Sequence, residues 1–314
     1  MLNRIPPSPH VLEGIGKLTA QCDLTFANLE IPLTEANTQT PNKSAAEVKK
    51  KDQWILKADP KHAPFIRQSG ITMVTLANNH AMDYGSAGLE EMIAHLDGNK
   101  IHHAGAGSNY KAAMEPAYTA LNGHKGVALI SVLAFVTPAA LRKTTPATLK
   151  GPGVGVLSFG GTIGTKAKEK LQRWIGRAKE KADIVVVGVH WGVERKSLPT
   201  PYQVTLGRAL IDAGADVVWG NHPHVLQGAE FYRKKLIMYS MGNLISNLPA
   251  QNGFFKVSFD GAGNQSAVFI PGKDASGRVT LIKGMQKAAA FRNMKALCRL
   301  LLHRYPSTVS VPAL

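Results

Sequence analysis

Apolar runs and amphipathic stretches alternate along most of the chain, and this alternation predicts an α/β protein. Several apolar runs are short and bounded by Gly, Pro or polar residues, which is typical of buried strands. The four clearest predicted strands lie at 24–29, 71–77, 184–189 and 217–219. Apolar residues at helical spacing, with Pro and Gly near the ends, predict helices at 10–20, 60–70, 86–96, 163–181 and 201–213.

Shorter patterns predict further strands in the first half of the chain. The segments 54–58 and 101–107 each predict a short strand. A hairpin is expected over 116–136, because the dipeptide Asn122-Gly123 separates two apolar segments there.

The remaining segments complete the predicted architecture. The polar, Lys-rich segment 34–53 predicts a long surface loop, and 137–162, rich in Gly, Pro and Thr, predicts a loop or lid. After Asn243, short alternating strands predict antiparallel additions to a sheet, and a last helix is expected at 286–303. No segment has the composition of a linker, so we predict one domain.

Histidines follow two of the predicted strands at their carboxyl ends. His190 ends one apolar run, and Gly220-Asn221-His222-Pro223-His224 follows another. Ligands of open α/β sheets bind beyond the carboxyl ends of the strands. A single histidine there is more often structural, but Pro223 is expected to hold His222 and His224 on an extended backbone. A buried imidazole pair is costly without a cation or an acid, so the pattern favours a metal site.

Composition and charge narrow the functional classes. The 314 residues are 44% hydrophobic, enough for a large core, and the two cysteines, Cys22 and Cys298, form no zinc-finger or disulfide pattern. The net charge of +16 predicts an anionic partner. The basic residues are spread over many segments without a nucleic-acid-binding motif, so a solvated basic surface is the plain alternative and a specific nucleic-acid partner is not predicted.

No apolar stretch reaches the length of about 18 residues that a membrane span needs, and the first ten residues lack the apolar core of a signal peptide. These features predict a soluble, cytoplasmic chain as it stands, or an envelope-associated one if an anchor precedes Met1. The predicted helix 286–303 carries Arg292, Lys295 and Arg299 along one face. Packing on the protein body is the first interpretation of that helix, and contact with a membrane surface is the second.

Five ordered motifs point to a known family: ANLE at 27–30, ANNHAMDYG at 77–85, HWGVE at 190–194, GNHPHVLQG at 220–228 and YSMGNLI at 239–245. Together they resemble the CapA/PgsA-type capsule synthesis proteins, named for poly-γ-glutamate capsule formation, over about residues 1–260. That family is similar to the calcineurin-like metallophosphoesterases. The resemblance implies a four-layer α-β-β-α sandwich with a dinuclear metal site at the strand ends, acting with capsule synthesis machinery.

The resemblance also implies roles for individual residues. Glu30 resembles a carboxylate shared by two cations, Asn79 an amide-oxygen ligand, and His80 the catalytic imidazole. His190, His222 and His224 complete the implied metal ligands. Residues at family positions that support these ligands or face substrate are Asn28, Asn78, Asp83, Glu194, Gln227 and Asn243.

The start of the sequence departs from the family pattern. The family opens with a strand that ends in Gly-Asp and continues with a motif close to Met-Leu-x-Arg. This chain begins Met1-Leu2-Asn3-Arg4, so the first strand, with an Asp that would bind metal, is expected to be missing from it.

The ligand types suggest the chemistry. Imidazole, carboxylate and amide oxygen suit two divalent ions such as Mn, Fe or Zn. Two cations about 3.5–4 Å apart can clamp a phosphoryl group and activate water, and His80 would protonate the leaving oxygen. The first hypothesis is therefore a phosphoesterase acting on an anionic, envelope-related substrate. The second is a non-catalytic component that binds an acidic polymer, and the third is a metal-dependent amide or ester hydrolase.

Overall fold

The computed structural model describes residues 5–121, 124–135, 137–159, 163–245, 250–275 and 277–306. They form a mixed α/β protein with several sheets, as predicted. The chain packs into two compact units. The first unit is Met1–Thr119 with Leu129–Gly160, and the second unit is Ala120–Ala128 with Gly161–Leu314.

The described secondary structure is numbered here in chain order. The strands are β1 (Phe26–Asn28), β2 (Met73–Thr75), β3 (His102–Ala104), β4 (Ala106–Gly107), β5 (Ala117–Leu121), β6 (His124–Ala134), β7 (Gly153–Val154), β8 (Ile184–Trp191), β9 (Val217–Asn221), β10 (Ala229–Tyr232), β11 (Lys235–Met238), β12 (Ala250–Phe259), β13 (Gln265–Ala275) and β14 (Arg278–Leu281). The helices are α1 (Gly16–Thr19), α2 (Ala45–Lys49), α3 (His62–Gln68), α4 (Gly85–Gly98), α5 (Tyr110–Met114), α6 (Pro138–Leu141), α7 (Thr165–Lys181), α8 (Pro201–Asp212) and α9 (Gly284–Arg304).

A parallel sheet in the order β1-β2-β3 organises the first unit. Every residue of β2 is buried, as is usual for a strand of a parallel sheet that is covered on both faces. Helix α4 follows the end of β2 and buries Leu89, Met92 and Leu96. Because β1 and β2 are parallel, the residues that follow them lie at the same edge of the sheet.

Strands β8 to β11 of the second unit belong to a six-stranded sheet in the order β10-β11-β9-β8-β6-β5. Strands β8 and β9 are parallel, with His190 beside Asn221 in the register. Helix α8 connects them and begins sharply, because Thr200 and Gln203 form a reciprocal capping box and Pro201 occupies the first turn. This connection places the carboxyl ends of β8 and β9 side by side.

Strands β12, β13 and β14 form an antiparallel sheet of their own. The prediction of antiparallel strands is confirmed, but the prediction that they extend another sheet is wrong for the described residues. Helix α9 packs here, with Phe291 edge-on to Phe269 at 5.9 Å between ring centroids. None of the described helices is both long enough and apolar enough to cross a membrane.

Two local predictions are corrected. The helix expected at 10–20 is two 3₁₀ turns, Pro9–Val11 and Glu13–Ile15, followed by α1, because Gly14 and Gly16 weaken a continuous helix. The strand expected at 54–58 forms only the bridge Leu33↔Ala58. The N–H of Leu56 donates instead to the Asp83 carboxylate at 2.8 Å, which replaces a ladder hydrogen bond.

The two segments expected to be loops are also more ordered than predicted. Segment 34–53 contains α2, which has a capping box between Ser44 and Glu47, and segment 137–162 contains α6 and β7. The turn Asn122-Gly123 lies outside the described residues, but its strands β5 and β6 are neighbours in the sheet, as a hairpin requires.

Candidate metal centre

Three predicted histidines lie together in the second unit. His190 is buried near the end of β8, with 2% of its surface exposed, and His222 follows β9. Their ring centroids are 4.8 Å apart, and those of His222 and His224 are 5.9 Å apart. The prediction that the two strand ends bring these imidazoles together is confirmed.

The backbone that carries His222 and His224 is not extended, so that prediction is wrong. The φ angles are 99° at His222 and 59° at His224, in the left-handed region that side-chain-bearing residues rarely adopt. Such conformations cost about 1–3 kcal/mol each and cluster at functional sites. The turn is held by a hydrogen bond of 2.8 Å from the Arg195 N–H to the Pro223 carbonyl.

Glycine at position 220 permits the close approach that forms this site. A Cβ atom at Gly220 would lie 2.1 Å from the Tyr239 carbonyl oxygen and 2.2 Å from the indole nitrogen of Trp191. That nitrogen donates to the same carbonyl at 3.0 Å. Only glycine therefore fits at this position, two residues before His222.

A carboxylate joins the histidine cluster. Ligand atoms of Glu194, His222 and His224 lie within 4.8 Å of one another. Atoms that bind one cation at about 2.0–2.2 Å are at most about 4.4 Å apart. A small side-chain adjustment would therefore let this group hold a cation, and its nitrogen and oxygen atoms suit Mn, Fe or Zn.

Asn243 fixes the orientation of one imidazole. Its Oδ1 atom lies 2.7 Å from Nδ1 of His224 and accepts the proton there. Nε2 of His224 then carries the lone pair that a cation needs. Asn252 holds the Asn243 backbone in turn, since its Nδ2 donates to the Asn243 carbonyl at 2.7 Å.

Gln227 supports the loop after β8. Its side chain is buried, accepts from Gln203 Nε2 at 2.9 Å and donates to the Lys196 carbonyl at 2.8 Å. Gln203 was not predicted from the sequence. It is buried in α8, where a glutamine three residues after Thr200 signals a helix start but not this second role.

The first unit contains a buried acid–base cluster. Nδ1 of His80 lies 2.7 Å from Oδ2 of Asp83, and both residues are buried. Lys43, which sequence analysis missed, forms an ion pair with Oδ1 of Asp83 and lies 3.1 Å from His80 Nδ1. Burial lowers the pKa of the Lys43 ammonium below its ordinary value, and the Asp83 carboxylate opposes that shift.

Asparagines shape the strand ends of this unit. Asn28 donates to a Glu30 carboxylate oxygen at 3.1 Å and accepts from Thr75 Oγ1 at 3.0 Å, which orients Glu30. Asn78 donates to the Leu29 carbonyl at 2.9 Å and accepts from the His80 N–H at 3.1 Å. The backbone carbonyl oxygen of Asn79 accepts a hydrogen bond from Lys43 Nζ at 3.0 Å.

Comparison with known families agrees with the motifs. A family model described as "Bacterial capsule synthesis protein PGA_cap" matches residues 6–248, which is most of the chain. The chain belongs to this family. The matched segment contains all five motifs and every residue of the histidine and His80 clusters.

Curated relatives carry related names. The chain is 31% identical to the capsule biosynthesis protein CapA of Bacillus anthracis over 237 residues, covering 75% of this chain and 53% of that relative. It is 32% identical to the PGA biosynthesis protein CapA of Bacillus subtilis over 215 residues, covering 67% of this chain and 52% of the relative. A "probable polyglutamine synthesis accessory protein" of Mycobacterium tuberculosis is 28% identical over 194 residues, covering 62% of this chain and 50% of that relative. The chain thus spans about half the length of these relatives.

Proposed function

We propose that this chain is a metal-dependent phosphoesterase in the biosynthesis of a capsule or cell-envelope polymer of the poly-γ-glutamate type. The observation that supports it best is the histidine cluster, where His190 and His222 are packed together and Glu194 joins His222 and His224. The names of the relatives support the link to capsule synthesis. In this proposal the fold is the four-layer sandwich of the metallophosphoesterases.

The proposed cation ligands are the three imidazoles and the Glu194 carboxylate in the second unit. Glu30 and Asn79 belong to the first unit and remain predicted ligands, as does the presence of two cations rather than one. A divalent cation, when bound, supplies Lewis acidity that neutralises phosphoryl charge and lowers the pKa of bound water towards about 7.

His80 is the proposed general acid. The Asp83 carboxylate accepts the Nδ1 proton and so fixes the orientation of the ring. The proton on Nε2 is then the one available to the leaving oxygen. Because His80 is 7% exposed, water competes little for that proton.

Turnover should depend on metal. Chelated protein, reloaded separately with Mn, Fe or Zn, is assayed with a nitrophenyl phosphomonoester and a bis-nitrophenyl phosphodiester. We expect hydrolysis of at least one ester with at least one metal and none in chelator. Equal rates with and without metal, or no hydrolysis by fully loaded protein, would reject the enzyme hypothesis.

A second candidate function is binding of an acidic polymer, and the surface of α7 favours it. Lys166, Lys170, Arg173, Arg177 and Lys181 are exposed and spaced four, three, four and four residues apart, which places them along one face of the helix. This cationic stripe extends for about 22 Å. The opposite face buries Leu171 and Ile175, so α7 presents its charge outward.

Removing the stripe should weaken polymer binding. We expect affinity for fluorescent polyglutamate to fall at least tenfold at low salt when Gln replaces Lys166, Lys170, Arg173 and Arg177. The reason is that this variant loses four positive charges that lie along one face of α7. The control replaces the exposed Lys49, Lys50, Lys51 and Lys150 by Gln and loses the same net charge. Equal affinity of the two variants would show that only total charge matters.

A further inference from the structure

Lys43 is buried in the first unit, where its ammonium contacts the His80–Asp83 pair. Its side chain is inaccessible to solvent, and 1% of the Asp83 side-chain surface is exposed. Nζ donates to the Asp83 carboxylate, to the Trp54 carbonyl at 3.0 Å and to the Asn79 carbonyl at 3.0 Å. Burying a lysine ammonium is costly unless it is paired and hydrogen-bonded, and these three oxygen atoms provide those contacts.

We propose that Lys43 is a positioning residue that fixes the Asp83 carboxylate and thereby the tautomer and orientation of the His80 imidazole. This inference rests on the proposed role of His80 as a general acid. It adds a residue that acts through Asp83 rather than on the substrate.

The two carboxylate oxygen atoms of Asp83 are held by different partners. Oδ1 accepts from Lys43, while Oδ2 accepts from the Leu56 N–H at 2.8 Å and faces His80 Nδ1 at 2.7 Å. Each carboxylate oxygen therefore has its own anchor, and the carboxylate plane cannot turn without breaking one of them. Loss of Lys43 would leave Oδ1 without its charged partner. The carboxylate would then be held only through the contacts of Oδ2.

The proton count assigns the tautomer. An ammonium group has three hydrogens, and three oxygen atoms accept from Lys43. No ammonium hydrogen is left for His80 Nδ1, although it lies 3.1 Å away. Nδ1 therefore carries its own proton and donates it to Asp83, so Nε2 is the nitrogen that takes up a proton and passes it to the leaving oxygen.

The test replaces Lys43 by Met, which has an uncharged side chain of similar length. The first readout is ¹⁵N NMR of the imidazoles at one fixed pH, with the His80 signal assigned by its loss in His80→Ala. We expect mainly the Nδ1–H tautomer in the parent chain and a mixture in Lys43→Met. Lys57→Met is the matched control, since Lys57 Nζ also donates to carbonyls, those of Glu35 and Ala36, and should leave the tautomer unchanged.

The second readout is the dependence of hydrolysis on the leaving group. A general acid matters most when the leaving oxygen is basic. We therefore expect Lys43→Met to slow an alkyl ester about 10–100-fold, the range for removing a group that orients a functional imidazole, and a nitrophenyl ester far less. An equal loss with both esters would indicate general structural damage and would overturn the proposal.

A double-mutant cycle separates an effect of Lys43 that passes through Asp83 from an independent effect of Lys43→Met. Because Lys43 acts through Asp83, Lys43→Met should cost little further turnover in an Asp83→Asn background. Full additivity of the two changes would contradict the proposal. If the parent chain hydrolyses no ester, the proposed function fails, while an unchanged His80 tautomer in Lys43→Met would separately reject the positioning role.

Discussion

Replacing His222 and His224 together by Ala is expected to remove most of the bound Mn, Fe or Zn without unfolding the chain. The two imidazoles supply two of the three ligand atoms that lie within 4.8 Å of one another with Glu194. The same change should abolish thermal stabilisation by metal. A ligand at a hundred times its Kd stabilises a native protein by about 2.7 kcal/mol, which is measurable as a shift in Tm.

Elemental analysis and melting curves with and without added Mn decide this prediction. His102→Ala with His103→Ala is the matched control, because it removes an adjacent histidine pair from β3. The control should keep its metal and its metal-dependent Tm. Equal metal content in the parent chain and in the His222/His224 variant would refute the proposed ligands.

Replacing His80 by Ala is expected to lower turnover of a phosphoester by about 10²–10⁴-fold, the range for losing a general acid. Bound metal should remain, because the imidazole is held by Asp83 and assigned to proton transfer rather than to the cation. The measurement is kcat on the metal-loaded protein, with metal content determined on the same sample.

His95→Ala provides the comparison for His80. His95 lies in the last turn of α4, and its loss should change kcat little. A His80→Ala variant that loses metal in parallel with activity would mean that His80 is a ligand instead. A variant with full activity would remove His80 from the mechanism.

The histidine cluster could be predicted because it depends on short-range sequence features. Apolar runs locate β8 and β9, and a parallel pair places its carboxyl ends together, so His190 and His222 had to be neighbours once the strands were paired. The positive φ angles at His222 and His224 could not be predicted. They depend on tertiary contacts, such as the hydrogen bond from Arg195 to Pro223, that no local pattern records.

Lys43 shows why other parts of the site could not be found. Its segment is polar and Lys-rich, which is typical of a surface loop, and nothing local separates Lys43 from Lys49 or Lys50. Its burial depends on Asp83, forty residues away, and on carbonyls of two other segments. Gln203 is similar, since its contact with Gln227 depends on how α8 packs against the chain after β9.

The most direct test of the central claim is anomalous diffraction from crystals of the Mn-loaded chain, with data from both sides of the manganese absorption edge. The proposed ligands predict a peak about 2.0–2.2 Å from an imidazole nitrogen of His222, with His190, His224 or Glu194 among the other ligands. Ordered manganese bound only elsewhere, with none at His222, would contradict it.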